Sequence, residues 1–574
     1  MDLLGRVIAS AASHVVLLLV VLPAFGAILV RLMRRAGAES VYYTAVTNVW
    51  TGLALAVLML IGFLTGAFET SGDDSSNARP DRLVSSILWH GELHPTVIPS
   101  SSTEPARPSY IAVGPDARVI VGVSGVSVWL ILLTVAVSVV FVQSQSPEHD
   151  RVILRLSWIL LTEAALIGSL AALDVVLLSF CSLLSVVGLS VLIAEFGGPL
   201  RREAARRFFI GQLASGLLLT FGLLGLAVSH WWMQVTEDRQ HPDLTFSLTT
   251  MVEQIPVLST MFEPALDFWN TLAPWLFLII VAALFLRVPF PPLHHGWLRV
   301  AEHADRRVVA LIAVGYLPAS MHLLLRVVLP VFSTQSIDLG ERLLVWGAIA
   351  AAVLALVAAA TRSRQRRLAA IGLSVSTIAI GASFLQLPGV VHGAALATIG
   401  TSAALALALL CQSEAAVRDV ATSSSETPDG IFRASRGALA ALPIASLALV
   451  PPTAGFWGVL LIVEGLFPDT PAIAICVLAT FACLGWTMWD EFTRVITPGV
   501  SGAHPGEPTE PRLAAPTLIP LAATLVGVSL FPASVLDHVD SQRTTESQQT
   551  TESNAVSTIP SGATPARQER TPAL

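Results

Sequence analysis

Few residues of this chain can do chemistry, and they sit where such residues are costly. Glu163 lies midway along an apolar run, in Leu160-Leu161-Thr162-Glu163-Ala164-Ala165. Arg287 opens a stretch broken by proline, Arg287-Val288-Pro289-Phe290-Pro291-Pro292-Leu293, which continues into His294, His295, Gly296 and Trp297. His322 and Arg326 stand one helical turn apart in a later run, and Glu464 lies toward the end of a run that also holds Pro451-Pro452. A charge at the centre of a bilayer costs about 2.5 to 3.5 kcal/mol or more, so such groups mark ion or proton paths by default. A carboxylate can take up a proton there, and histidine changes charge near neutral pH. All 33 residues of the Lys+Arg count are arginine, and the chain has no lysine. Arginine stays protonated, so a deprotonatable cation is absent and the carboxylates and histidines are the available carriers. The candidate proton path is therefore Glu163, Arg287, His294, His295, His322 and Glu464. Plainer roles compete, since an arginine can snorkel and a histidine can be a satisfied core residue. His14, Asp174, Glu195, His392 and Asp490 lie nearer the ends of runs, where solvation or capping accounts for them.

Those residues need elements to hold them, and the apolar runs supply them. A bilayer-crossing helix takes about 20 residues. Runs of that kind are Val7 to Val30, Val49 to Phe68, Val119 to Val142, Val152 to Ala172, Val175 to Ala194, Phe208 to Val228 and Phe268 to Leu286. They continue as Val308 to Val331, Leu343 to Ala360, Leu368 to Leu387, Val390 to Leu410, Ala438 to Leu466, Pro471 to Trp489 and Thr517 to Leu536. The pattern predicts an all-α polytopic membrane protein of about fourteen transmembrane helices. Composition agrees, because 54% of the 574 residues are hydrophobic and only 13% are charged, with a mean hydropathy of +0.71. Soluble domains carry about 25% charged residues, so an ordinary cytosolic enzyme is excluded. The net charge of -7 gives no footing for nucleic acid. The first run is too long for a secretory signal and reads as a membrane helix. Cys181, Cys411, Cys476 and Cys483 lie in apolar runs without metal spacing and read as buried free thiols.

Arginine clusters orient the runs, because short cytoplasmic loops are rich in Lys and Arg. Arg31, Arg34 and Arg35, then Arg201, Arg202, Arg206 and Arg207, then Arg299, Arg306 and Arg307, then Arg362, Arg364, Arg366 and Arg367 all follow odd-numbered runs. That placement predicts a cytoplasmic arginine face, both termini outside, and an inner (cytoplasmic) membrane location. Polar stretches from Glu69 to Arg118 and from His230 to Asp267 read as outer loops, and the Thr-Thr-Glu-Ser repeat in the last residues reads as a disordered tail. The expected organisation is residues 1–118 with two helices and an outer loop, 119–331 and 332–536 as two repeat regions, and 537–574 as the tail.

Proline removes a backbone donor and clashes with the preceding turn, so Arg287 to Trp297 and Val450 to Gly458 break the seventh and twelfth runs. Breaks at corresponding places in two halves point to inverted repeats around an ion path at mid-membrane depth. Neither a phosphate-binding glycine loop nor a dinucleotide fingerprint stands in a strand-turn-helix setting.

Together these motifs resemble a known family. Leu160 to Gly168, running on to Asp174, resembles the fourth and fifth helices of the subunit M family of proton-translocating NADH:quinone oxidoreductase, complex I. Phe208 to Gly216 is similar to its sixth helix, Arg287 to Leu298 to its broken seventh, Arg367 to Ala370 to the start of its tenth, Pro451 to Gly458 to its broken twelfth, and Leu530-Phe531-Pro532 to its last. The resemblance covers roughly residues 119 to 536 and implies the antiporter-like fold shared with Mrp-type cation/proton antiporters. It further implies partner membrane subunits in a complex I-like assembly, with NADH, flavin, iron-sulfur and quinone sites in other subunits and no redox site or cofactor in this chain. The family's fifth-helix glutamate and seventh-helix lysine, an ion pair, correspond to Ser182 and Arg287. Positions carrying further family charges fall near Pro318, Ser376, Thr401 and Val459. Arg287 should then be paired or water-exposed, with Glu163 as its nearest acidic partner along the bundle. The leading expectation is a membrane subunit of an NADH:quinone oxidoreductase-type complex that takes part in proton translocation. The alternatives are a diverged scaffold subunit of an inorganic-carbon uptake type that does not pump, and a free-standing cation/proton antiporter.

Overall fold

The computed structural model describes residues 14–65, 83–88, 118–149, 151–236, 244–261, 263–411, 441–496 and 515–532. In lipid a backbone N–H or C=O has no water to bond, and an α-helix satisfies both within its own segment, so each long apolar run becomes a helix. The first half contains α1 (Val15–Leu32), α2 (Ala38–Thr65), α3 (Gly125–Gln143), α4 (Val152–Ala171), α5 (Val175–Glu195), α6 (Arg201–Thr236), α7 (Leu248–Met261), α8 (Glu263–Arg287), α9 (His295–His303) and α10 (Arg306–Val331). The second contains α11 (Ser333–Ala360), α12 (Arg364–Ser383), α13 (Pro388–Leu410), a helical stretch 441–447, α14 (Ala454–Leu466), α15 (Pro471–Ile496) and α16 (Ala515–Leu530). Eleven of the described helices are long and apolar enough to cross a membrane. Adding α12, the interrupted segment that ends in α14, and α16 gives the fourteen spans expected.

Several boundaries differ from expectation. The third run was to begin at Val119, but β2 (Arg118–Val123) pairs antiparallel with β1 (Leu83–Leu88), and α3 starts only after Ser124. Arg-Val-Ile-Val-Gly-Val is as much a β-branched strand as an apolar helix start, and the partner strand decides between them. The loop expected from His230 to Asp267 is largely helical, because α6 runs on to Thr236 and α7 follows. Of the four cysteines only Cys181 is buried, while Cys476 is exposed on α15. The start of the first run at Val7 and the tail from residue 537 lie outside the described residues.

Three helices form the centre. The membrane-crossing windows of α3 and α13 are 100% buried and that of α10 is 94% buried, whereas those of the other eight long apolar helices are between 33% and 72% buried. A helix that is apolar all round belongs inside, and one with a single packed face belongs at the lipid. Small residues let the second-half helices approach closely. A Cβ added to Gly458 of α14 would lie 2.4 Å from the Ala397 nitrogen of α13, and one on Gly347 of α11 would lie 3.1 Å from the Gly381 Cα of α12.

The arginine clusters gather on one face, as a chain of contacts shows. Arg31 donates to Ser157 near the start of α4, and Arg155 of that same turn pairs with Glu195 at the end of α5 at 3.5 Å. Glu203 at the start of α6 meets Arg207 and, at 3.9 Å, Arg299 of α9, and Glu302 of α9 meets Arg366 of α12 at 3.3 Å.

Candidate functional site

Arg287 ends α8 where Pro289, Pro291 and Pro292 stop the helix, and its side chain is 1% exposed. Nη1 donates to Ser182 Oγ on α5 at 2.9 Å, and Nε donates to the Tyr316 carbonyl on α10 at 3.3 Å. The guanidinium carbon lies 4.2 Å from the centroid of the Tyr316 ring, within cation–π range. The Tyr316 hydroxyl donates to Gln212 Oε1 of α6 at 3.0 Å, and Gln212 Nε2 donates to the Leu286 carbonyl at 3.2 Å, closing a loop of contacts around the break. Nη2 has no hydrogen-bond partner.

Pro318 explains why a backbone carbonyl faces the guanidinium. α10 widens to a π-helical turn over Ile312–Tyr316, just before Pro318, and again over Leu324–Val328. The Leu317 N–H reaches back five residues to Ile312, and the Ser320 N–H bonds Leu317 rather than Tyr316. Wide turns of this kind occur often at functional sites.

The expected Arg287–Glu163 pair is not formed. Among the described residues no carboxylate lies within 4.0 Å of Arg287, and its partners are a hydroxyl, a carbonyl and a ring. Glu163 points elsewhere because α4 packs between α1, α2, α3 and α5, and position 163 faces α2 and α3. It is 1% exposed, its Oε1 lies 4.0 Å from where a Cβ on Gly52 of α2 would be, and it lies beside the Ser138 side chain of α3, whose hydroxyl donates to the Thr134 carbonyl at 3.0 Å. Its Oε2 has no partner. The two buried groups thus have different neighbours, Glu163 lying toward α2 and α3 and Arg287 toward α5 and α10.

The histidines divide as well. His294 is 5% exposed with neither ring nitrogen hydrogen-bonded, and its ring lies 4.1 Å from that of His295, which is exposed. His322 is 3% exposed and its Nδ1 meets Ser124 Oγ, the cap of α3, at 3.4 Å. At the other end of the same helix pair Arg307 donates to Ser144 at 2.7 Å, so α3 and α10 run antiparallel with His322 near one end. Glu464 is exposed on α14 two residues before its end, so the structure does not bring it to the interior with the others. Its helix turns Ala454, Gly458 and Ile462 inward instead.

Two site residues escaped the sequence reading, Tyr316 and Gln212. Pro318 inside an apolar run was the available signal for the first, since a proline frees the carbonyls of the turn before it. A lone glutamine among Phe208 to Gly216 was the signal for the second. In the second half, every buried polar side chain among the described residues is a serine or threonine hydroxyl, including Ser374, Thr377, Thr398, Thr401 and Ser402. Thr377, Ser383, Thr398, Thr480, Thr524 and Ser529 bond a carbonyl three or four residues back, which satisfies them without carrying a charge, and Ser374 donates to the Ala351 carbonyl of α11. No group of three His, Cys, Asp or Glu suited to a metal ion is present among the described residues.

Outside the membrane-crossing segments, Asp305 caps α10. Burial would raise its carboxyl, but bonds and charge from Arg307, whose Nε and Nη2 donate at 2.8 and 2.7 Å, outweigh it and hold it below the usual carboxylate range.

Comparison with known proteins places this geometry. F(420)H(2) dehydrogenase subunit M of Methanosarcina mazei is 30% identical over 182 residues, which is 31% of this chain and 33% of that protein. The chain therefore matches about a third of the length of this curated relative. Among solved structures, a chain of respiratory complex I from Thermus thermophilus with bound NADH superposes with a TM-score of 0.65 at 18% identity, covering 92% of this chain and 98% of that one. A chain of the Mrp complex from a Dietzia species gives 0.60 at 17% identity, covering 92% and 52%. A chain of the membrane-bound sulfane sulfur reductase, an archaeal respiratory membrane complex, gives 0.63 at 13%, covering 93% and 97%. At these identities the solved structures establish the fold, that of an antiporter-like multi-pass membrane protein. The family profile described as NADH:quinone oxidoreductase/Mrp antiporter, TM, matches residues 172–485, more than half of the sequence and including both helix breaks. This chain is a multi-pass integral membrane protein that belongs to the NADH:quinone oxidoreductase/Mrp antiporter transmembrane family.

Proposed function

We propose that this chain is an antiporter-like membrane subunit of a complex I-type respiratory assembly and takes part in proton translocation driven by electron transfer in other subunits. The observation that carries the reading is the fully buried Arg287 at the break of the seventh span, held by Ser182 and Tyr316 in a chain of this family. Arg287 acts as a fixed positive charge, since a guanidinium keeps its proton. Glu163 is the group that gains and loses one, buried beside Ser138 with its Oε2 unpartnered. His294 and His295 extend the path from the break toward the arginine-rich face, and His322 lies toward the opposite end. Glu464 serves at the lipid or subunit boundary, outside the bundle interior. The arginine-rich face is cytoplasmic in this reading, with both termini outside and residues 119–331 and 332–536 forming the inverted repeats of a cytoplasmic-membrane protein. Redox cofactors belong to the partner subunits, and neighbouring membrane subunits flank the helices.

One observation favours a second reading, a scaffold that assembles such a complex without pumping: the fully buried polar side chains among the described residues of the second half are all hydroxyls, so no fully buried titratable group continues the path there. Glu163→Gln, introduced into the native assembly and assayed by donor-driven proton uptake into inverted vesicles, separates the two. Loss of uptake with electron transfer retained is expected; full uptake in the variant removes Glu163 from the path and leaves the scaffold.

A further inference from the structure

Every arginine cluster on the basic face has a carboxylate of its own except one. Glu203 serves Arg207 and Arg299, Asp305 serves Arg307, and Glu302 serves Arg366. At the end of α1, Arg34 and Arg35 form no ion pair with a described residue, although Glu39 follows closely in the chain. Arg31, Arg34 and Arg35 line a cleft of about 500 Å³ together with Ile28 and Leu32. Ile28 and Leu32 are 57% and 74% exposed, one helical turn apart on the same side of α1.

Arg31 is fixed in place within this cleft. Its Nε donates to Ser157 Oγ at 3.1 Å and its guanidinium carbon stands 5.6 Å from the Trp158 ring centroid, which occupies one of its five N–H groups and restrains the rest. Arg34 and Arg35 occupy the 3-10 turn after the helix, where cations complement the negative end of the helix dipole. The cleft thus has a cationic half beyond the end of α1 and an apolar half along its last turns. Because α1 crosses the membrane, that boundary coincides with the one between hydrocarbon and headgroups.

We infer that this cleft binds an anionic phospholipid, the headgroup phosphate on Arg31, Arg34 and Arg35 and an acyl chain along Ile28 and Leu32. A free anion would leave the apolar half unused, and an electroneutral lipid would leave the arginines uncompensated. Basic pockets at the membrane surface favour acidic headgroups by about 1 kcal/mol per arginine.

The test uses the full-length protein in detergent, titrated with phosphatidylglycerol, phosphatidylcholine or glycerol phosphate, with bound lipid counted by native mass spectrometry. Phosphatidylglycerol should bind well above phosphatidylcholine, and Arg34→Gln/Arg35→Gln should weaken it about 30-fold. Arg202→Gln/Arg206→Gln, which removes the same charge from the same face, should change it less than about threefold. Equal losses in the two double variants would reduce the effect to general face charge and overturn the site. Glycerol phosphate binding as tightly as the lipid would make it a free-anion site and overturn the assignment to lipid. Unchanged lipid binding in Arg34→Gln/Arg35→Gln, with a neighbouring subunit cross-linking at position 34, would make it a protein interface instead.

Discussion

Replacing Ser182 by alanine removes the oxygen that accepts from Arg287 Nη1 at 2.9 Å. What remains is a 3.3 Å bond to the Tyr316 carbonyl, beyond the usual N–H···O range, and the ring of Tyr316. Nη2 already lacks a partner, and no described carboxylate lies within reach to take over. A hydrogen bond to a charged group contributes about 1.5 to 3 kcal/mol, so Ser182→Ala should destabilise the protein by about 2 kcal/mol. The same substitution in an Arg287→Met background should cost less than about 0.5 kcal/mol, because no buried donor is then left unpaired and the lost hydroxyl served only the helix. Arg287→Met alone should be neutral or stabilising, since exchanging a buried, weakly compensated charge for an apolar side chain of similar length removes its desolvation cost. Equilibrium unfolding in mixed detergent micelles, followed by helix content for all four proteins, gives the coupling between the two positions directly. Equal costs of Ser182→Ala in both backgrounds would refute the account, showing that Ser182 does not hold the guanidinium.

Other perturbations follow from the packing and the polar ends of helices. Gly458→Ala should lower the thermal midpoint sharply, because its Cβ would stand 2.4 Å from the Ala397 backbone and α13 and α14 must separate, at about 1 to 3 kcal/mol. Gly211→Ala on α6, with nothing within 4 Å, should instead stabilise by up to about 1 kcal/mol; similar effects at both positions would contradict the close approach. Asp305 is held below the usual carboxylate range, so its contribution is complete above the unfolded value of about 3.9 and is lost as the pH falls through it toward the folded value. Asp305→Asn should therefore lower stability at neutral pH and flatten the decline below pH ~4, as read from thermal midpoints between pH 3 and 7.

Much of the fold is legible in the sequence because it depends on local rules. Apolar runs of about 20 residues must be helices in lipid, proline must interrupt them, and arginines segregate to one side. The helix and arginine rules hold here, but the proline rule holds only in part: Pro289 and Pro451 break their runs, whereas Pro23, Pro274 and Pro520 lie inside the continuous helices α1, α8 and α16. Where the rules compete, the outcome was not readable. Val119 to Val123 is apolar enough for a helix, yet it forms β2 because Leu83–Leu88 is available to pair with it.

The site divides along the same line. The sequence by itself placed Glu163, Arg287, His294, His295, His322 and Glu464 inside apolar runs or at their breaks; Glu163, Arg287, His294 and His322 are 5% exposed or less, whereas His295 and Glu464 are exposed. Which of them meet was settled by helix rotation and packing, to which the sequence is blind. Arg287 and Ser182 are 105 residues apart and touch, whereas Glu163, also buried, faces away toward Gly52 and Ser138. Glu464 shows the same dependence, because about 100° of rotation per residue places it on the outer side of α14 while its neighbour two positions back is buried. Local chemistry fixed which groups entered the membrane; the relative rotation of α4, α5, α8 and α10, set by side chains packing across the bundle, fixed which group faces which.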